Sequence, residues 1–389
     1  MKIGVIAHLK HPIREPFAGG LEMHTYALCK MLRRRGHQVT LFAAEGSAAG
    51  LGLEAICDAH DVSPPTDEAF RREHRIYTRL MENLRHRDFD VIHNNALHYV
   101  PPALAAGLPM PMVTVLHTPP FWEMEGSISR NHDANNSFIA VSSAIRDRWA
   151  AITPVASVIH NGIDLDQFRF APAPAESPYF VWSGRIVPEK GLTLAISAAR
   201  QAGLALRIAG PISDPAYFVR HIAPCLDDQV RYVGHIDHAD LPHLLGGARA
   251  FIFSPLWEEP YGLVLAEALA CGTPVAAFAR GAVAEILDAS CGIIVPPDDI
   301  AGLAQAARDA QALRRSACRR RAETIADFAG TVTAYELLYR RLISRGKSAS
   351  RGRSRPPGFA DMASPRALLD HYLAHRGAMM SEIPRALRS

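Results

Sequence analysis

Short apolar runs recur at 2–7, 38–43, 90–93, 112–116 and 138–141, and a second series follows at 179–183, 205–209, 229–233, 250–254, 274–278 and 292–295. Most positions within each run are apolar rather than alternating with polar ones, the pattern of parallel strands covered on both faces. Helical patterns fall between them, at 22–35, 192–202 and 263–271. The alternation predicts an α/β protein. Between the two series lies Phe-Ala-Pro-Ala-Pro-Ala-Glu-Ser-Pro at 170–178, which has no periodicity and reads as an interdomain linker. The expected organisation is two doubly wound, Rossmann-like parallel-sheet domains, 1–170 and 179–328, joined by a linker at 171–178. Sheets of this kind bind ligands beyond the carboxyl ends of their strands, so the site is expected in the cleft between the domains.

A further helix is expected at 329–345, where Val332, Tyr335, Leu338, Tyr339 and Leu342 recur at helical spacing. Beyond it, 346–358 is rich in Ser, Arg, Gly and Pro and predicts disorder, and Ser364-Pro365 with Gly377 brackets one short terminal helix.

Charge sharpens this picture. The 389 residues carry 42 Lys+Arg and 39 Asp+Glu, a net +3. Residues 340–389 hold 11 basic and 3 acidic side chains, +8, so residues 1–339 sum to −5. A mildly acidic body argues against nucleic acid as a partner. The basic tail at 346–389 is read as a solvated appendage able to attract anionic lipid weakly. No spanning helix is expected, because the longest stretch free of charged residues, 94–122, contains six prolines. The apolar run at 3–7 is too short for a signal peptide. The six cysteines show no Cys-x-x-Cys pair, which favours buried thiols in a reducing, cytoplasmic setting.

The most informative stretch runs from Ser254 to Pro274, strand to turn to helix. Glu259 falls in the turn and Glu267 about one helical turn inside. The N–H groups of Gly262, Leu263 and Val264 would face a phosphate, assisted by the helix dipole, and a carboxylate deeper in the helix suits a ribose diol. A second element, Gly184-Arg185 to Lys190-Gly191, follows the first strand of the second series. Arg185 and Lys190 there could hold a diphosphate, the first by its fork and the second as a point charge. The pair Gly19-Gly20 precedes another amphipathic helix and lets backbone approach an anion. It is not the dinucleotide fingerprint, since no Gly-x-Gly-x-x-Gly follows the first strand. His117 ends the strand 112–116 where it would open into the cleft. Two Asp-x-Asp pairs, Asp88/Asp90 and Asp164/Asp166, match a short metal-binding pattern but carry almost no information at this length, and no metal site is expected.

Taken together these pieces resemble the family 4 glycosyltransferases of the GT-B fold, over residues 2 to about 344. The resemblance rests on Gly19-Gly20-Leu-Glu22, Arg35-Gly-His-Gln-Val39, Asp90-Val-Ile-His93, His117-Thr-Pro119 and Asn161-Gly-Ile-Asp164. It continues through Gly184-Arg185, Glu189-Lys-Gly191, Tyr232-Val-Gly234 and the Glu-seven-residues-Glu motif, in family order. It implies a retaining transferase with a nucleotide-sugar donor, UDP-sugars being the commonest, and no cofactor or metal. It implies that Arg185 and Lys190 bind the donor diphosphate, that Glu267 holds the ribose, and that Glu259 and His117 lie by the transferred sugar. Gly19-Gly20 would close over the phosphates, with His235 and Ile236 against the base. The N-terminal domain would take the acceptor and the C-terminal domain the nucleotide, with the last helix crossing back. Tyr261 stands where Phe is common and Thr118 where Asp is common. The acceptor, whether glycan, lipid-linked glycan or small metabolite, carries no readable code. Two other readings share the fold: a nucleotide-sugar 2-epimerase, and a catalytically silent nucleotide-binding protein. The order of motifs favours the transferase over the first, and intact Arg185, Lys190, Glu259 and Glu267 argue against the second.

Overall fold

The computed structural model describes residues 1–58, 67–130, 135–349, 369–370 and 373. The expected terminal helix and most of the basic tail lie outside these residues.

Two all-parallel sheets organise the chain. The first contains β1 (Lys2–Ile6), β2 (Gln38–Ala44), β3 (Leu53–Cys57), β4 (Val91–Asn94), β5 (Met112–Leu116), β6 (Asn136–Ala140) and β7 (Val155–Val158), in the order β3-β2-β1-β4-β5-β6-β7. The second contains β8 (Tyr179–Ser183), β9 (Ala205–Ala209), β10 (Val230–Gly234), β11 (Ala250–Phe253), β12 (Val275–Phe278) and β13 (Gly292–Val295), in the order β10-β9-β8-β11-β12-β13. Strand order reverses beside β1 in one sheet and beside β8 in the other, the positions where doubly wound sheets open a crevice. The GT-B arrangement follows. Central strands are mostly apolar, as the runs predicted, with His93 and Asn94 on β4 and Thr114 on β5 among the buried polar exceptions. The sequence pattern missed β3 and β7 because both are edge strands, only partly buried, and neither carries a continuous apolar run.

The Pro/Ala segment is not a free tether. Ala171 N–H donates to Cys271 O at 3.1 Å, and Ala175 N–H to Gly247 O at 2.9 Å. Arg315 donates to the carbonyls of Ala171, Gly246, Ala248 and Cys271 at 2.6–3.2 Å, and Arg319 Nη1 donates to Phe168 O at 2.7 Å. A guanidinium has five N–H donors in a fixed fork, so one side chain can tie three backbone segments together. Residues from about 168 onward are thereby fastened to the C-terminal layer. The two crossings between sheets lie side by side instead: Ile163 and Asp327 form a parallel bridge, with Ile163 N–H donating to Ala326 O at 2.8 Å.

The helix Phe328–Ala349 follows this second crossing and returns to the first sheet's side. Its Tyr335 and Tyr339 are fully buried, and Glu336 accepts from Arg35 Nη1 at 2.8 Å and pairs with His37 Nε2 at 2.7 Å. Among the described residues no helix is long and apolar enough to cross a membrane.

Candidate active site

Between the sheets lies a cavity of about 500 Å³. The carboxyl ends of β1, β5, β8, β10 and β11 and two helix N-termini open onto it. All twelve residues singled out from the sequence line it: Gly19, Gly20, His117, Arg185, Lys190, His235, Ile236, Glu259, Gly262, Leu263, Val264 and Glu267.

Lys190 ends a single 3-10 turn, Pro188–Lys190, that is stopped by Gly191 in the left-handed region, φ +65°. A Cβ on Gly191 would lie 1.8 Å from Ser254 O, so only glycine lets the β8 loop close on the end of β11. Lys190 Nζ then reaches Glu259 Oε2 at 2.6 Å, and Trp257 Nε1–H donates to the same oxygen at 2.9 Å. The ammonium also sits 5.2 Å from the Trp257 ring centroid. The Glu259 backbone is fixed from below, where its carbonyl accepts from Ala282 N–H at 3.0 Å. A Cβ on Gly281, φ +57°, would strike that carbonyl at 2.0 Å. Arg185 is more exposed, and its Nη2 stands 4.0 Å from Glu189 Oε1, too far for a hydrogen bond.

The helix Leu263–Ala270 starts from Gly262, also left-handed at φ +85°. The N–H groups of Leu263 and Val264 have no intrahelical partner, whereas Leu265 N–H already donates to Gly262 O at 2.9 Å. Glu267, one turn in, is buried, and burial pushes its carboxyl up to about 7. Facing it is His238, whose Nε2 lies 4.0 Å from Glu267 Oε1 and has no hydrogen-bond partner. From the other side comes the helix Gly20–Arg34. A Cβ on Gly20 would lie 3.0 Å from Leu263 Cδ1, so the two helix N-termini meet across the cleft. Beside them His8 Nε2 pairs with Glu22 Oε1 at 3.0 Å. Burial alone would raise the Glu22 carboxyl, but the hydrogen bond and charge of His8 outweigh it and hold Glu22 below the usual range.

His117 closes β5, and its Nε2 lies 2.9 Å from Asn95 Oδ1. Burial, reinforced by neighbouring His24, His93 and His8, holds its ring well below the ordinary histidine range.

The Asp-x-Asp pairs have structural work. Asp88 and Asp90 grip Lys2 at the start of β1, and Asp164 accepts from Asp166 N–H at 3.0 Å within its own turn. Sequence reasoning missed His8, Trp257 and His238 on the cavity wall and Asn95 buried behind His117. His8 follows β1 as His117 follows β5, so the same strand-end rule reaches it, and Trp257 lies inside the strongest motif. His238 carries no local signal.

The family models divide the chain as the sheets do. The model described as Glycosyltransferase Family 4 matches residues 18–167, and that described as Glycosyl transferases group 1 matches 165–325. The chain belongs to the family 4 glycosyltransferases. It is similar to a phosphatidyl-myo-inositol mannosyltransferase of Mycolicibacterium smegmatis, 28% identical over 79% of this chain and 83% of that protein. It is also similar to a glycogen synthase of Mycobacterium tuberculosis, 28% identical over 82% and 91%. Among solved structures, sucrose-phosphate synthase of Thermosynechococcus elongatus superposes with a TM-score of 0.75 at 20% identity, covering 88% of this chain and 99% of that one. The Anabaena protein HepE in complex with UDP-glucose superposes at 0.66 and 18% identity, over 90% and 100%. This glycosyltransferase accordingly has the GT-B fold and takes its sugar from a nucleotide-sugar donor.

Proposed function

We propose that this glycosyltransferase binds a UDP-sugar across the cleft and transfers the sugar, with retention of configuration, to a hydroxyl acceptor held by the N-terminal sheet's loops. The observation that carries this reading is the convergence of Arg185, Lys190 and the N-terminus of the helix Leu263–Ala270 on the cavity that also holds Glu259 and Glu267. Departure of a nucleoside diphosphate builds negative charge on its oxygens, and preorganised cations and helix N–H groups aimed at that charge lower the barrier. Glu267 then serves the ribose, Glu259 and His117 the sugar, and His235-Ile236 the base. The UDP-glucose complex of the structurally similar Anabaena protein supports the choice of UDP.

A double displacement needs a carboxylate placed to attack the anomeric carbon. Glu259 is the candidate in the turn, and its Oε2 is held by Lys190 and Trp257. Front-face substitution fits better. The bond from the anomeric carbon to the diphosphate oxygen breaks, the acceptor oxygen bonds on the same face, and the acceptor's proton passes to the departing phosphate oxygen. Lys190 and Arg185 supply the balancing charge, so turnover is expected to persist in EDTA. Turnover and thermal shift with UDP-, GDP- and ADP-sugars test the donor. Arg185→Ala is expected to lower turnover by about a hundredfold or more, and undiminished activity in that variant overturns the assignment.

A further inference from the structure

The reading of His117 as a sugar contact leaves open which of its nitrogens carries the proton. A chain of buried hydrogen bonds decides this. It begins at Tyr339, on the helix that returns from the second crossing. Its hydroxyl lies 2.7 Å from His93 Nδ1, its one partner among the described residues. Were that hydroxyl to accept, its own proton would be left buried and unsatisfied, at a cost of about 1–3 kcal/mol. Tyr339 therefore donates, and His93 carries its proton on Nε2. That nitrogen lies 2.9 Å from Asn95 Oδ1, which must accept. The Asn95 amide nitrogen faces the other way, donating to Thr25 Oγ1 at 3.1 Å. His117 Nε2 meets the same oxygen at 2.9 Å, so it too must bring a proton. An amide oxygen has two lone pairs and both are used.

We propose that Asn95 is the positioning residue that holds His117 as its Nε2–H tautomer, leaving Nδ1 as a neutral acceptor for a hydroxyl of the transferred sugar. The proposal rests on the donor reading given above. The surroundings keep the ring uncharged. His24, from the helix Gly20–Arg34, packs edge-on at 5.5 Å, and both its nitrogens are buried without partners. His93 approaches from β4, with Tyr335 and Tyr339 of the last helix behind it. His8 approaches from the end of β1, and the carboxylate on that side, Glu22, is already paired with it. None of the groups bonded to His117 or Asn95 is a carboxylate, so nothing there compensates an imidazolium. A sugar hydroxyl donating to Nδ1 is read by a fixed acceptor, and the seating of the last helix is tied to that acceptor through Tyr339 and His93.

The test begins with nitrogen-15 histidine spectra of the full chain. Both His117 and His93 are expected as neutral Nε2–H tautomers between pH 6 and 8, and an Nδ1–H tautomer at His117 overturns the proposal. The second arm is kinetic. A carboxylate in Asn95→Asp favours imidazolium at His117, which raises its pKa and removes the Nδ1 lone pair at low pH. The ratio of Asn95→Asp to wild-type kcat/KM should thus fall on acidification within pH 5–8 and recover as pH rises, over and above the donor-binding limb that both proteins share through Glu267. Asn95→Ala should lose on the order of tenfold in kcat/KM at every pH, as for outer partners that fix a ring's orientation. A folded Asn95→Asp with the wild-type profile overturns the proposal. Wild-type protein with the expected tautomers but no turnover of any nucleotide sugar instead refutes the donor reading, and with it the role of His117.

Discussion

Lys190 Nζ sits 2.6 Å from Glu259 Oε2, with only 18% and 13% of the two side chains exposed. The cation we assign to the donor diphosphate is thus held by a carboxylate of the same site, and donor binding has to share it. The two partners should therefore respond differently to mutation. Glu259→Gln keeps the shape but frees the charge of Lys190, so free UDP should bind severalfold more tightly while kcat falls. Lys190→Ala should weaken UDP binding and lower kcat by about 10²–10³. Calorimetry with UDP and steady-state turnover separate the two effects, and weaker UDP binding in Glu259→Gln contradicts this account.

Glu267 links stability to pH. Its carboxyl is raised from 4.5 to about 7 by burial. Between those values the folded protein keeps a proton that the unfolded chain has released. Stability therefore falls as pH rises from about 4.5 to 7, by about 3 kcal/mol in total, and is flat above. Ribose hydroxyls donating to the carboxylate favour its ionised form, so nucleotide binding should release protons near pH 7 and tighten above it. Glu267→Gln is expected to melt higher than wild type at pH 8, to lose the fall between pH 5 and 7, and to bind nucleotide about tenfold more weakly. Equal melting curves for the two proteins at both pH values contradict the shift.

What the residues disclosed and what they withheld have a common physical cause. Strands buried on both faces are mostly apolar, so β1, β5, β8 and β11 announce themselves. The half-exposed edges β3 and β7 have no such obligation. Arg185 and Lys190 stood out as cations at a strand end between glycines, and Glu259 and Glu267 as a carboxylate pair in a strand-turn-helix stretch. The pairing of Lys190 with Glu259 is not legible, since 69 residues separate them. Nor is the clamp on the Pro/Ala segment: its composition suggests freedom, and the guanidinium that removes it lies 144 residues away at Arg315. Asn95 sits two residues past a motif histidine and gains its importance only when β4, β5 and the last helix converge.

Glu285 fastens one half of the molecule to the other. It stands in the short helix Val283–Ile286 that follows β12, yet its carboxylate accepts from the N–H groups of Ser143 and Ala144 at 2.7 and 2.8 Å. Those residues open the helix Ser143–Trp149 after β6, where Ser142 Oγ–H also donates to Pro260 O at 2.7 Å. Charge-assisted bonds to a helix N-terminus are each worth roughly 1.5–3 kcal/mol. Glu285→Ala should favour a more open cleft, seen as a larger radius of gyration in solution scattering and a higher KM for the donor. An unchanged radius with an unchanged KM contradicts this role.

The side-by-side crossings at Ile163 and Asp327 place the pivot for any domain movement upstream of the Pro/Ala segment. Gly162 makes this crossing tight. A Cβ there would lie 2.5 Å from Phe328 Cα and 2.8 Å from Phe328 N, backbone atoms that cannot turn aside. Gly162→Ala must separate the two crossing segments, break the bond from Ile163 N–H to Ala326 O, and disturb the start of the last helix. Overpacking of this kind costs about 1–3 kcal/mol, a fall in Tm of about 1–4 °C for a chain of this size. Gly50→Ala supplies the control, since a Cβ at Gly50 meets nothing within 4 Å and the residue has no positive φ. Differential scanning calorimetry of the two variants should show a clear loss for Gly162→Ala and none for Gly50→Ala. Equal melting temperatures would mean that the crossings can part freely, and the pivot would then have to lie elsewhere.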